Sequence, residues 1–578
     1  MPTPHLVPSR PRLRTALLLV ALTSASLGHS HAQPFAADPD NGGLSLPDGF
    51  QAIIAADNLI DGRKVRGQSD QLRFIAVAPD GVVYAKTLQG GIIALRDTNR
   101  DGRLDQKQEF GSGGGTGIAV QGNWLYHSST SAVFRYPRRP GEFVPAGQPQ
   151  TIVADLPDHG SHTAKSFAFD GDGRLVVEVG SPYNVFSEPD RQRGAKGRDA
   201  SEHQKTHGGL WRFDPDKTGQ RQADGFHYST GHRHMLAFAW QPMAKTFFGV
   251  MMGRDNMDVV APDHCDALDN AERVAEEMHR LDPGTNLGWP YTYWDPIKKA
   301  RMVSPEFGGD NRRRAEAGKY PDPVVAFPAH WAPLQMIVYI GTQCPKRYRG
   351  GAFMAFRGSW NRALLPQAGF NISFAPFDAA GNPRGNYEVF ASGNGRERFR
   401  MGGVAQAPDG SLYISETERG RIWRISHSGA EGTPVAEGPV RAAPPAAAPA
   451  KAAEPAGDPS VPTAGDALMA RGRRVYEMYC GACHMPDGAG AGQLQPSLVQ
   501  NSVVGGDPVQ LIDVILRGPA EVLPKDRPRY GNVMPPFPFL SDVQVAELVS
   551  YLRQSFGNNA PAVLPENVAS ARARLPAP

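Results

Sequence analysis

The chain has 578 residues, 61 Lys and Arg against 58 Asp and Glu, only 4 Cys, and 64 Gly with 52 Pro. That length calls for more than one ordinary domain or a large β domain with an appendage, and the Gly and Pro content favours a turn-dense β protein over a disordered chain. The formal charge of +3 comes from Arg10, Arg12 and Arg14, because residues 1–32 hold no Asp, Glu or Lys; the balanced remainder lacks the basic footprint of a nucleic-acid or anionic-membrane binder.

Residues 1–32 read as a signal peptide. Three arginines precede the apolar run Thr15–Leu22, and Ser30-His31-Ala32 supplies small residues at a cleavage site. The run is too short to span about 30 Å of hydrocarbon, so a periplasmic or secreted protein without an integral membrane segment is expected. In that oxidising compartment Cys265 and Cys344 either pair or remain two buried thiols.

Between about Leu46 and His427, within a domain expected over 33–435, a two-part unit recurs. Ala78-Pro-Asp-Gly-Val-Val-Tyr84 precedes Gly91-Ile-Ile-Ala-Leu95, and Ala407-Pro-Asp-Gly-Ser-Leu-Tyr413 precedes Gly420-Arg-Ile-Trp-Arg-Ile425 with the same Tyr-to-Gly spacing. Asp170-Gly-Asp-Gly-Arg-Leu-Val-Val177 and Gly209-Leu-Trp-Arg-Phe213 look like further halves. A turn feeding a short β-branched or aromatic run, then a Gly turn into another, is a hairpin; hairpins repeated over this length predict an all-β propeller.

Residues 436–466 are dominated by Ala and Pro and read as a linker. Helical periodicity then predicts a small all-α domain over 467–560, with Ser541 as N-cap of its last helix, followed by a tail, 561–578. Cys480-Gly-Ala-Cys483-His484 is the haem c attachment pattern. Both thiols lie on one helical turn and His484 is the proximal iron ligand, while Met534, about fifty residues downstream, is the distal candidate, a pairing suited to electron transfer. No second Cys pair or βαβ pattern supports zinc or a thioredoxin-like centre. The segment resembles class I cytochrome c.

Several propeller stretches resemble the sorbosone/pyranose dehydrogenase group of soluble quinoproteins, relatives of soluble glucose dehydrogenase: Gly180-Ser-Pro-Tyr-Asn184, Gly253-Arg-Asp-Asn256, Asn286-Leu-Gly-Trp-Pro-Tyr291, Pro328-Ala-His-Trp-Ala-Pro333, Arg357-Gly-Ser-Trp-Asn-Arg362 and Arg400-Met-Gly-Gly-Val404. The resemblance implies six blades, pyrroloquinoline quinone (PQQ) and Ca2+. It implies His162 as the base that takes the hydroxyl proton, and Arg233 beside the quinone carbonyls. It also implies the Gly253 and Arg254 backbone carbonyls as calcium ligands. Arg73, Arg357, Arg362 and Arg400 are candidate partners of the cofactor carboxylates. His234, Met252 and Arg357 depart from that group, which usually has Asn, His and His there.

Asp97, Asn99, Asp101 and Asp105, with Gly102, repeat the spacing of a calcium loop and suggest a second, structural ion. Together these features predict a PQQ-dependent sugar dehydrogenase, oxidising an aldose, sorbosone or related alcohol or aldehyde and passing electrons through haem to a one-electron acceptor such as a cytochrome, copper protein or quinone-linked chain. The alternative is a non-catalytic cytochrome whose propeller binds carbohydrate or a partner.

Overall fold

The computed structural model describes Met1 and residues 35–65, 68–362, 365–394, 398–428, 464–485, 487–490, 495–528, 530, 534, 536–538 and 540–574. The expected signal peptide and nearly all of the expected linker lie outside them.

Among the described residues six blades of four antiparallel strands follow one another along the chain, two of them extended by a short fifth strand, Leu44–Ser45 in the fifth blade and the parallel-paired Thr285–Asn286 in the third. The first blade runs Leu72–Val77, Val83–Thr87, Ile92–Arg96 and Gln106–Phe110, and the four that follow are built the same way. The sixth takes Met401–Gln406, Leu412–Glu416 and Ile422–His427 from the end of the propeller and its outer strand, Phe50–Ala56, from the beginning. Phe50 pairs with His427 and Gln51 with Ser426, which closes the ring. The two repeats read from sequence are equivalent hairpins of the first and sixth blades. Their Pro-Asp-Gly turns close through Ala78 N to Val82 O at 2.9 Å and Ala407 N to Ser411 O at 2.8 Å. Gly81 and Gly410 take φ of 86° and 85°, a left-handed conformation that favours glycine.

The second strands Val83–Thr87, Leu175–Val179, Thr246–Met251, Ala352–Phe356 and Leu412–Glu416 are buried along their whole length. Each blade is covered on both faces by its neighbours, so inside–outside alternation disappears. The core is correspondingly six wedges, one between each pair of adjacent blades. Tyr84, Ile92 and Leu125 fill the first, for example, and Phe248, Met336 and Met354 the fourth. Gln335 ties three innermost strands together: its amide oxygen accepts from Ile75 N at 3.0 Å and Val404 N at 3.1 Å, and its nitrogen donates to Ile75 O at 2.9 Å.

The helical domain has its own core, including Tyr476, Ile512, Leu548 and Val549. Helix Ala464–Tyr479 crosses helix Asp542–Gln554 so closely at Gly472 that a Cβ there would lie 2.1 Å from the Glu547 carbonyl oxygen. Ser541 caps the second helix as expected, accepting from Gln544 N at 3.2 Å. Two boundaries differ from the sequence reading. The first helix begins at Ala464, inside the expected linker, and Pro565–Arg572, inside the expected tail, is a helix whose Val568 and Ala571 are buried in this core. A short helix with only two inward apolar residues carries too little periodicity to stand out in the sequence. Cys265 and Cys344 are free, buried thiols in different clusters, so the unpaired alternative holds.

Candidate functional site

In an antiparallel blade the innermost strand begins at the rim where the second strand ends. His162, Arg233, His330 and Arg400 precede innermost strands, whereas Ser181, Asn184, Gly253, Asp255 and Arg357 follow second strands. The topology therefore gathers residues scattered over most of the propeller at one rim.

His162 is half-buried, with φ of 59°, and its Nδ1 lies 2.6 Å from the Ser181 carbonyl. A carbonyl only accepts, so Nδ1 carries the proton and Nε2 keeps its lone pair. Burial, then the charges of Arg233 and His234, hold this imidazole well below the ordinary histidine range, hence neutral. His234, the departure from the quinoprotein pattern, stacks on it with centroids 4.7 Å apart and bonds Glu178 at 3.0 Å. Met252, the second departure, packs into the wedge with Phe74 and Leu334.

Asp255 is the hub on the other side of Arg233. It accepts from Arg233, from Arg191 at 3.1 Å and from Asn361 Nδ2 at 2.6 Å, with His330 Nδ1 at 3.5 Å. Although burial opposes ionisation, Arg233 and these partners keep it well below the usual carboxylate range. Arg233 also donates to Asn184 Oδ1 at 3.2 Å, so its position is fixed by two partners. Glu276 is buried with only the Gly253 and Ala332 amides as donors, both at 2.9 Å, and burial raises its pKa to about 7. The Arg254 side chain is used structurally, in a two-pronged pair with buried Glu306. Its carbonyl oxygen and that of Gly253 accept no hydrogen bond among the described residues, which leaves two hard oxygen donors of the kind calcium takes.

Of the four candidate arginines, three come together. Arg357 is repelled by both Arg400 and Arg73, partly offset by Glu418 and Glu416, and burial followed by the Arg400 charge lowers it to about 9. Burial lowers Arg73 to about 10. Arg400 pairs with Glu418 at 2.7 Å, but among the described residues no carboxylate lies within ion-pair distance of Arg73 or Arg357. Arg73 has only Thr116 Oγ1 and Gln71 Oε1, at 3.4 and 3.3 Å, and Arg357 Nε is buried without a partner. Buried cations short of counter-charge are costly and fit a polyanionic ligand such as a tricarboxylate. Arg362 is engaged elsewhere, donating to Ala271 O at 3.1 Å and Glu272 at 3.3 Å.

The Asp97–Asp105 loop uses its oxygens internally. Asp97 accepts from Arg100 N at 2.6 Å and Gly102 N at 2.9 Å, Asn99 from Asp101 N at 3.0 Å, and Asp101 from Arg103 N at 2.8 Å, while Asp105 closes onto Thr98. Among the described residues no three His, Cys, Asp or Glu side chains gather as a metal cluster.

In the helical domain Cys480 and Cys483 flank one turn, with Cys483 N donating to Cys480 O at 3.1 Å and His484 N to the same oxygen at 3.0 Å. His484 Nδ1 bonds the Pro496 carbonyl at 2.9 Å, which again fixes the tautomer and leaves the Nε2 lone pair available to a metal. Met534 is half-buried against the helical core. Burial pushes the Cys480 thiol up to about 12 and raises Cys483 further. Two thiols, a tautomer-fixed imidazole and a thioether fit a covalently held haem.

A family model described as TrAA12-like matches residues 44–428. The chain belongs to the TrAA12-like family. A second, for subunit III of cbb3-type cytochrome c oxidase, matches residues 467–552, so a TrAA12-like propeller is joined here to a cytochrome c domain. In fold the propeller is similar to the calcium structure of a Trichoderma reesei carbohydrate-active enzyme of family AA12. The TM-score is 0.54 at 16% identity over 69% of this chain and 100% of that one. It is equally similar to the holo form of the pyranose dehydrogenase PQQ domain from Coprinopsis cinerea, with a TM-score of 0.53 at 17% identity over 66% and 97%. The helical domain is 40% identical over 93 residues to the cytochrome c subunit of the quinone alcohol dehydrogenase of Gluconobacter oxydans; this covers 16% of the chain and only 19% of that relative. No helix among the described residues is long and apolar enough to cross a membrane.

Sequence reading missed Glu178, Arg191, Asp255 and Glu276 as members of the site. Glu178 stands inside an apolar strand, where an unexplained acid is itself a signal, whereas Glu276 opens a mostly polar strand that gives no such contrast. Asp255, like Asn184, His330 and Asn361, lay within a motif already singled out.

Proposed function

We propose that the chain is an exported quinohaemoprotein that oxidises an aldose, or a related alcohol or aldehyde, at PQQ and releases electrons one at a time through haem c. The observation that carries this reading is the trio Arg73, Arg357 and Arg400, rich in buried positive charge and joined in one chain to a cytochrome. The three arginines would hold the cofactor carboxylates, and the Gly253 and Arg254 carbonyls a calcium ion. When bound, PQQ supplies the two-electron acceptor. His162 then takes the substrate hydroxyl proton at Nε2, its tautomer fixed by Ser181 and its neutrality by Arg233 and His234. Arg233, positioned by Asp255 and Asn184, offers positive charge where negative charge develops. Cys480 and Cys483 anchor the haem, with His484 and Met534 on the iron. The sugar-like reading of the substrate follows the pyranose dehydrogenase among the fold relatives.

The test is the haem spectrum of the oxidised protein, loaded with PQQ and calcium, on mixing with a panel of aldoses, sorbosone and simple alcohols. Reduced haem bands are expected with at least one substrate, and His162→Ala should slow their appearance by about 10²- to 10⁴-fold. No reduction with any substrate, together with no quinone binding, would overturn the reading.

A further inference from the structure

Among the described residues the helical domain touches the propeller beside the haem motif. Asp487, three residues beyond His484, accepts from Ser69 Oγ at 3.1 Å and pairs with Lys64 Nζ at 2.7 Å. Lys64 and Ser69 are directly paired residues of a two-stranded hairpin, Lys64–Val65 with Gln68–Ser69. That hairpin is fastened to the first blade: Arg63 bonds Asp70 at 3.3 Å and Glu109 at 2.7 Å. Although burial works against it, Asp487 is held below the usual carboxylate range by Lys64, the Ala489 amide and Ser69. Within the propeller, Arg400 of the trio bonds the Arg357 and Gly358 carbonyls at 3.4 and 3.5 Å, Gln367 at 2.8 Å and Glu418 at 2.7 Å.

Resting on the function proposed above, we infer that this contact is the electron-transfer dock: Lys64 and Ser69 grip Asp487, three residues beyond His484, and so hold the haem-binding motif against the first blade, whose innermost strand carries Arg73 of the trio. Oxidation of one aldose to its lactone releases two electrons and two protons. A haem held there would carry these electrons one at a time to an external one-electron acceptor, and the protons would pass to solvent. The lock is weak by construction. Lys64 is about half exposed, and an exposed ion pair adds little to stability and is screened by salt. Such a grip orients the two sites and lets go, so the same haem edge is freed to meet its acceptor.

The test uses the full holoprotein and two readouts. Treatment with a zero-length carbodiimide should join Lys64 to Asp487, seen by mass spectrometry as a linked peptide absent from Lys64→Met. In stopped flow, sugar-driven haem reduction should slow about five- to tenfold in Asp487→Lys, through the lost ion pair and the like-charge repulsion that replaces it. It should recover in the swap Lys64→Asp with Asp487→Lys. Sugar-driven reduction of a small dye, which bypasses the haem, should be equal in all of these. A missing cross-link, or haem reduction unaltered by Asp487→Lys, overturns the dock. Dye reduction absent from every variant overturns instead the dehydrogenase reading, and the cross-link then decides alone whether the contact exists.

Discussion

The two cofactor regions are built on opposite plans. At the propeller rim, acids and bases from several blades are paired with one another inside the protein: Asp255 with Arg233, Arg254 with Glu306, His234 with Glu178. In the helical domain three of the four haem-holding groups sit on or at the start of one four-residue helix, Gly481–His484 with Cys480 at its N-cap, among apolar neighbours, and Met534 joins them from downstream. A helix that short is not stable by itself. The first region is preorganised by its scaffold, and the second depends on what it holds.

The sharpest way to break this contrast is to remove each anchor. Replacing Cys480 and Cys483 together by Ser should abolish covalent haem and unfold the helical domain while the propeller keeps its own thermal transition, read by absorbance and calorimetry. A helical domain that melts unchanged would refute the difference. In the propeller, Arg357→Met should weaken PQQ binding by roughly ten- to a hundredfold, the worth of a charge-assisted hydrogen bond, without lowering apoprotein stability, because a half-buried guanidinium lacking an ion-pair partner among the described residues is what is lost. Arg362→Met should do the reverse, leaving PQQ affinity intact and lowering the melting temperature. Titration calorimetry and thermal melts of the pair separate the two arginines.

The pH dependence sharpens the contrast further. His162 is held well below 6.5, so its neutral, proton-accepting form persists as pH falls past 6.5, and the acid limb of kcat/KM should lie below that value. Arg233→Gln removes one of the causes and should move the limb upward. The stability sign is that of a depressed histidine: its contribution is complete above 6.5 and is lost as pH falls toward the lowered folded value. The smallest effects belong to the helical scaffold. Gly472→Ala should cost about 1–3 kcal/mol by forcing the crossing helices apart, and Ser541→Ala about 1 kcal/mol as a lost cap, both measured by denaturant unfolding.

The same contrast explains what could be read from the chain. Cys480, Cys483 and His484 are contiguous, so spacing alone identified their chemistry. The hairpin repeats announced the propeller because each turn needs its Pro-Asp-Gly locally. The trio Arg73, Arg357 and Arg400 came from resemblance, and nothing local distinguishes those three from Arg362, which an acid at Glu272 claims. Asp255 as a hub, and the contact of Asp487 with Lys64, depend on which strand ends share a rim or a face. No window of sequence contains that information.

Ring closure by Phe50–Ala56 also dictates an order of assembly. Gln51 and Ser426 are 375 residues apart, yet their side chains touch in the finished sixth blade. A strand made at the start of synthesis must therefore wait, unpaired along one edge, until almost the whole propeller has been made. Since the cytochrome segment follows the last propeller strand, the ring can close before the haem-bearing cysteines emerge. Haem attachment then falls to a late step, performed on a chain whose larger half is already folded.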